Sequence, residues 1–61
     1  MKLRDFLNLY NGNVKVYVID DKARTVFAGN VFGAKICDYK HNKVVSFKCY
    51  NDMMFVEVEC I

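Results

Sequence analysis

The chain has 61 residues, 54% of them hydrophobic and 26% charged, with a net charge of +2. That is too apolar for a disordered tail and too weakly charged for charge alone to imply a polyanionic partner. No run of about 18 apolar residues exists, which excludes a membrane-spanning helix. Asp5 and Asn8 interrupt the opening segment, so no secretory signal is expected and the chain reads as a single cytoplasmic domain, residues 1–61. A domain this short buries only about 60% of its unfolded surface. Its marginal core makes association with another chain, a metal or a disulfide a usual supplement.

Leu3, Phe6, Leu7 and Tyr10 recur at i, i+3, i+4 and i+7, which predicts a short helix with one apolar stripe. Asn11-Gly12 suits its end. Its start is poor: no Ser, Thr, Asp or Asn precedes Leu3, and Lys2 and Arg4 oppose the helix dipole. Packing on a sheet must therefore hold it.

Val14, Val16 and Val18 alternate with Lys15, Tyr17 and Ile19, the pattern of a strand with one apolar face. Asp20-Asp21-Lys22-Ala23 reads as a polar turn, in which short carboxylates bond the turning backbone. Thr25-Val26-Phe27-Ala28 returns as a strand. A four-residue loop pairs Val16 with Phe27 and Val18 with Thr25, and Gly29 weakens or bulges the strand end. From 30 to 42, Val31, Phe32, Ala34, Ile36 and Tyr39 show no clear period. Gly33 argues against a stable helix, so a partly packed connection with room for one helical turn is expected.

Val44–Tyr50 and Met53–Cys60 read as strands joined only by Asn51-Asp52, a tight hairpin. A two-residue loop pairs Cys49 with Met54, Phe47 with Val56 and Val45 with Val58, apolar on both sides each time. Loop length and hydrophobic pattern thus agree on one register and send these side chains to the interior. The other face carries Val44, Ser46, Lys48 and Tyr50 opposite Met53, Phe55, Glu57 and Glu59. The expected fold is α+β: a short N-terminal helix packed on a four-stranded, mainly antiparallel sheet built from two hairpins, with a strongly curled, barrel-like variant left open.

Catalytic chemistry finds little purchase. Cys37, His41, Cys49 and Cys60 are soft ligands, but no close cysteine pair is present. The hairpin register puts Cys49 beside the turn and Cys60 near Lys43, roughly six residues and about 20 Å away. That is beyond one zinc ion or one disulfide. Reduced thiols and no metal or cofactor are expected. His41, the single histidine, sits in a polar stretch without a nucleophile placed beside it. Glu57 and Glu59 alternate on what reads as the solvent side of a strand. The three glycines stand apart, so no phosphate loop exists. No catalytic residue is assigned and the chain is expected not to be an enzyme.

The strongest functional signal is the outer face. Tyr17, Ile19, Tyr50, Met53 and Phe55 would lie exposed opposite the helix, and such a patch marks a protein partner or self-association as a homo-oligomer. The alternative is nucleic acid, held by Lys35, Lys40, Lys43 and Lys48 with Tyr39 and Tyr50 as stacking platforms. Against it, Glu57 and Glu59 beside Lys15 and Lys48 bring the outer face near neutrality.

Leu3-Arg4-Asp5-Phe6-Leu7, Val14-Lys15-Val16-Tyr17, Phe27-Ala28-Gly29, Val44-Val45-Ser46-Phe47 and the closing Phe55-Val56-Glu57-Val58 together give the whole chain a pattern. In it the chain resembles a broad set of small uncharacterised α+β proteins of Firmicutes and their phages and mobile elements. The resemblance implies no catalytic residue. It implies an accessory protein, encoded by a phage or mobile element, that acts by binding a host protein.

Overall fold

The computed structural model describes residues 1–10 and 12–60. The elements run α1 (Leu3–Asn8), β1 (Lys15–Ile19), β2 (Thr25–Asn30), α2 (Val31–Lys35), β3 (Val44–Tyr50) and β4 (Met53–Val58). β1–β2 and β3–β4 are antiparallel hairpins, as their turn sequences require. They join through a parallel β1–β4 pairing, giving the order β2-β1-β4-β3. The sheet is therefore mixed at its centre and open, not a barrel, with β2 and β3 as its edges. The parallel pair arises because α2 and the loop after it cross one face of the sheet and deliver β3 to the far edge. β4 then returns alongside β1 in the same direction.

Both helices cover that one face. Leu3 and Leu7 of α1 and Val31 and Ala34 of α2 close over Val16, Val18, Met54, Val56 and Val58. Phe6 and Tyr10 complete the expected stripe as half-buried side chains. Each fully buried aliphatic side chain is worth roughly 1.5–3 kcal/mol, so this small set carries most of the fold.

The missing N-cap of α1 is real: Lys2 makes no side-chain cap bond. The cap comes from elsewhere in the chain. Leu3 N donates to the Asn42 carbonyl and Arg4 N to the Lys40 carbonyl, both at 2.9 Å. Val44 N donates to the Met1 carbonyl at 2.8 Å, and Lys2 pairs with Lys43 in an antiparallel bridge. The first two residues are thus a short strand fragment on the outer edge of β3. α1 ends at Asn8 with Leu9 as C-cap, earlier than Asn11-Gly12 suggests; Asn11 lies outside the described residues.

The 30–42 segment contains more structure than its pattern suggests. Asn30 caps α2 through Oδ1, which accepts from Gly33 N, and α2 buries Val31 and Ala34. Gly33 fits because a Cβ there would stand 3.1 Å from Asn30 Oδ1 and 3.2 Å from the Phe27 ring. The same ring leaves only 2.9 Å for a Cβ at Gly29. Phe27 therefore packs down over two residues without side chains.

Two expected registers are corrected. In the first hairpin Val16 pairs with Gly29 and Val18 with Phe27, and Ile19 pairs with Thr25 across a bulge that leaves Val26 over. The loop is Asp20–Arg24, one residue longer than expected, closed by Ala23 N to the Asp20 carbonyl and Asp20 N to the Arg24 carbonyl, each 3.0 Å. From Phe27 onward the shift is two residues and even, so Phe27 keeps its predicted face and still packs against the core; at the bulge the shift is one, which sets Thr25 opposite Ile19 and lets Val26 pack against the core as well. In the second hairpin Cys49–Met54 and Phe47–Val56 form as expected. Val45–Val58 does not: a bulge makes Val44 the partner of Val58 and leaves Val45 54% exposed. The interior placement of Phe47 and Cys49 is also overturned. They share the helix side with Met54 and Val56, but neither helix lies over β3. Phe47 stays 58% exposed, its ring centroid 5.0 Å from that of Phe6 on α1.

Candidate interaction surface

The sheet face opposite the helices collects the five predicted interface residues. Parallel pairing sets Tyr17 beside Phe55, and antiparallel pairing sets Met53 beside Tyr50. The Tyr17 and Phe55 rings stack with centroids 5.0 Å apart and an interplanar angle of 16°. Tyr50 meets Phe55 edge-on at 5.8 Å. Tyr17, Ile19, Met53 and Phe55 are half-buried and Tyr50 is 47% exposed. No helix of the described residues folds over this side, because α2 joins α1 on the other. A depression of about 520 Å³ opens here, lined by Ile19, Ser46, Phe47, Lys48, Tyr50, Phe55 and Glu57.

Cations rim the aromatic cluster. Lys15 Nζ lies 5.3 Å from the Tyr17 ring centroid and Lys48 Nζ 5.5 Å from that of Tyr50, within cation–π range. Glu57 is the acid of the face, its Oε1 accepting from Ser46 Oγ at 3.2 Å. Glu59 follows the end of β4. The face is consequently apolar at its centre, with Lys15 and Lys48 against Glu57 on its strands.

The four lysines of the nucleic-acid alternative lie in three places. Lys35 ends α2 and lines a second depression with Tyr10 and Asn13. Lys40 and Lys43 stand where the loop caps α1, beside Arg4 and Lys2. Lys48 is on the aromatic face. Adjacency in sequence does not become adjacency in space, because residues 35–48 wrap from one side of the molecule to the other.

Asp20 is the one buried charged residue in the described core, 4% exposed. Its Oδ1 accepts from Arg24 N and Lys22 N, both at 2.9 Å, and its Oδ2 from Arg24 Nε at 3.1 Å. The Arg24 backbone bond foremost, with help from Lys22 N and the guanidinium, holds this carboxyl below the usual carboxylate range against the opposing pull of burial. Every acceptor site it uses faces its own turn, so the residue is a turn lock.

The remaining candidates are dispersed. Cys49 pairs with Met54 by the hairpin turn, whereas Cys60 meets Asn42 Nδ2 at 3.8 Å at the opposite end. The Cys37 thiol donates to the Ala34 carbonyl, and His41 is exposed. Among the described residues no group of three or more His, Cys, Asp or Glu is placed to hold a metal ion, and no helix is long and apolar enough to cross a membrane. Sequence reasoning missed the exposure of Val45 and Phe47 on β3, and of Phe32 on α2 and Ile36 at its C-cap. The second pair had a signal: spaced i, i+4, they share a stripe distinct from Val31 and Ala34.

No known family model matches the chain, and no curated protein or solved structure matches it. The functional reading rests on the geometry of this face.

Proposed function

We propose that this chain is a non-enzymatic protein-interaction module whose contact surface is Tyr17, Ile19, Tyr50, Met53 and Phe55. The partner is a host protein or a further copy of the chain, met in the cytoplasm, and the module serves as an accessory or inhibitor encoded by a phage or mobile element. The observation that carries this is the Tyr17–Phe55 stack in the middle of a sheet face that neither helix covers. Aromatic side chains carry large apolar areas and dominate interface energetics. The test compares solution molar mass, and retention of host protein, for the native chain and for Tyr17→Ser with Phe55→Ser. The native chain is expected to run as an oligomer or to hold a partner that the variant releases. A native monomer that retains nothing overturns the reading.

One observation favours nucleic acid as the second reading: Lys15 and Lys48 stand beside the rings of Tyr17 and Tyr50 on the same open face. Cations next to stacking platforms suit single strands. Tight binding of DNA or RNA oligonucleotides that weakens steeply with salt would install this reading in place of protein contact.

A further inference from the structure

We propose that the free edge of β3 docks an extended, acidic segment of a partner protein, added antiparallel as a further strand. This rests on the reading of the chain as a protein-contact module, but it uses the edge of the sheet and not its face.

β3 is an edge strand with six of its seven residues exposed. Edge strands present unpaired backbone N–H and C=O groups that accept an added strand. The molecule already uses this edge once: Met1 and Lys2 lie antiparallel against Lys43 and Val44. The segment left open is Ser46–Tyr50. On its helix side it offers Phe47, resting on Phe6, and Cys49; on its outer side it offers Lys48 between Ser46 and Tyr50. Lys48 has no carboxylate within salt-bridge distance among the described residues. The opposite edge is less open. β2 carries a bulge at Val26 and Gly29 near its end, and Val26 and Phe27 pack against the core.

Charge decides the occupant. Ser46–Tyr50 is centred on Lys48, so antiparallel pairing with a second copy sets Lys48 against Lys48. Like charges directly opposite destabilise a strand pair. Shifting the register to avoid this either shortens the overlap or runs it into the bulge at Val45 and the residues that Met1 and Lys2 cover. Pairing with β2 of a second copy gives Lys48 no acid, since Thr25–Asn30 contains none. A foreign strand with apolar residues facing Phe47 and Cys49 and a carboxylate facing Lys48 satisfies all three positions.

The test fuses Thr-Val-Glu-Val-Thr ahead of Met1 through a short Gly-Ser spacer, which continues the existing antiparallel pairing. Tethering holds the strand at about millimolar effective concentration. Amide hydrogen exchange is read at residues 46–50, against a matching Thr-Val-Lys-Val-Thr fusion. The acidic tail is expected to protect these amides about fivefold more than the basic tail, and Lys48→Glu in the same chain to reverse the order. Equal protection by both tails, or none by either, overturns the proposal. Concentration-dependent protection of 46–50 in the untailed chain also overturns it, by assigning the edge to a second copy. The same fusions on the Tyr17→Ser, Phe55→Ser chain separate the two readings: the tail response survives there if the edge acts alone, whatever becomes of the outer face.

Discussion

Ala23 occupies a left-handed backbone conformation, φ 62°, at the end of the first hairpin loop. The Asp20–Arg24 hydrogen bonds require it, because the turn closed by Ala23 N and Asp20 O must swing back for Asp20 N to reach the Arg24 carbonyl. An L-residue with a Cβ is about 1–2 kcal/mol less stable there than in the right-handed region. Glycine escapes that strain but loses about 0.5–1 kcal/mol through the greater freedom of the unfolded chain. Ala23→Gly is therefore expected to stabilise the protein by about 0.5–1 kcal/mol. For a domain of this size that raises the thermal midpoint by roughly 2–8 °C. Ala28→Gly, in the body of β2 where φ is ordinary, is the control and should lower it. Thermal and urea unfolding followed by circular dichroism read both. A lower midpoint for Ala23→Gly would refute the loop geometry, and with it the two-residue register shift that places Phe27 against Val18.

Other outcomes follow from the same structure. Leu7→Ala removes a side chain with no exposed area and should cost about 2–5 kcal/mol; a core this small rarely supplies more than about 3–5 kcal/mol, so the variant should lose its cooperative unfolding transition at 25 °C. Asn30→Ala deletes the cap of α2 and should cost about 0.5–2 kcal/mol by urea midpoint. Asp20 is held ionised below its unfolded-state value, so the stability it contributes is present above about pH 4 and is lost as pH falls through its folded value. Asp20→Asn should accordingly flatten the acid limb of the stability–pH curve, and parallel acid limbs for native and variant chains would contradict the carboxylate's role.

The two hairpins were legible because period-two alternation and turn residues act locally. Asn51, which enters the left-handed region at φ 44°, is the turn residue that made the second hairpin readable. The parallel β1–β4 pairing was not legible, since it depends on how far across the sheet the 30–42 crossover carries the chain before β3 begins, and no residue in β1 or β4 specifies a neighbour across the sheet. Asn30 caps α2, but Gly33 hid the helix from the sequence pattern: the glycine reads as a breaker by propensity and is there to admit the Phe27 ring. The aromatic face was untouched by the register errors because its residues lie on β1, β3 and β4, where the Tyr50–Met53 and Lys48–Phe55 rungs form as expected and the bulge comes only at Val45. The exposure of β3 did not follow from its alternation, because alternation reports which side a residue faces and not whether a helix reaches that far.

The hydrogen bonds that complete the start of α1 have a consequence for biosynthesis. Leu3 and Arg4 leave the ribosome before their carbonyl partners at Asn42 and Lys40, which are added about forty residues later, some seconds on at ordinary elongation rates. Until then the amphipathic opening has neither a cap nor a sheet to lie on, and a nascent-chain protease assay should find it cleavable until the C-terminal strands emerge.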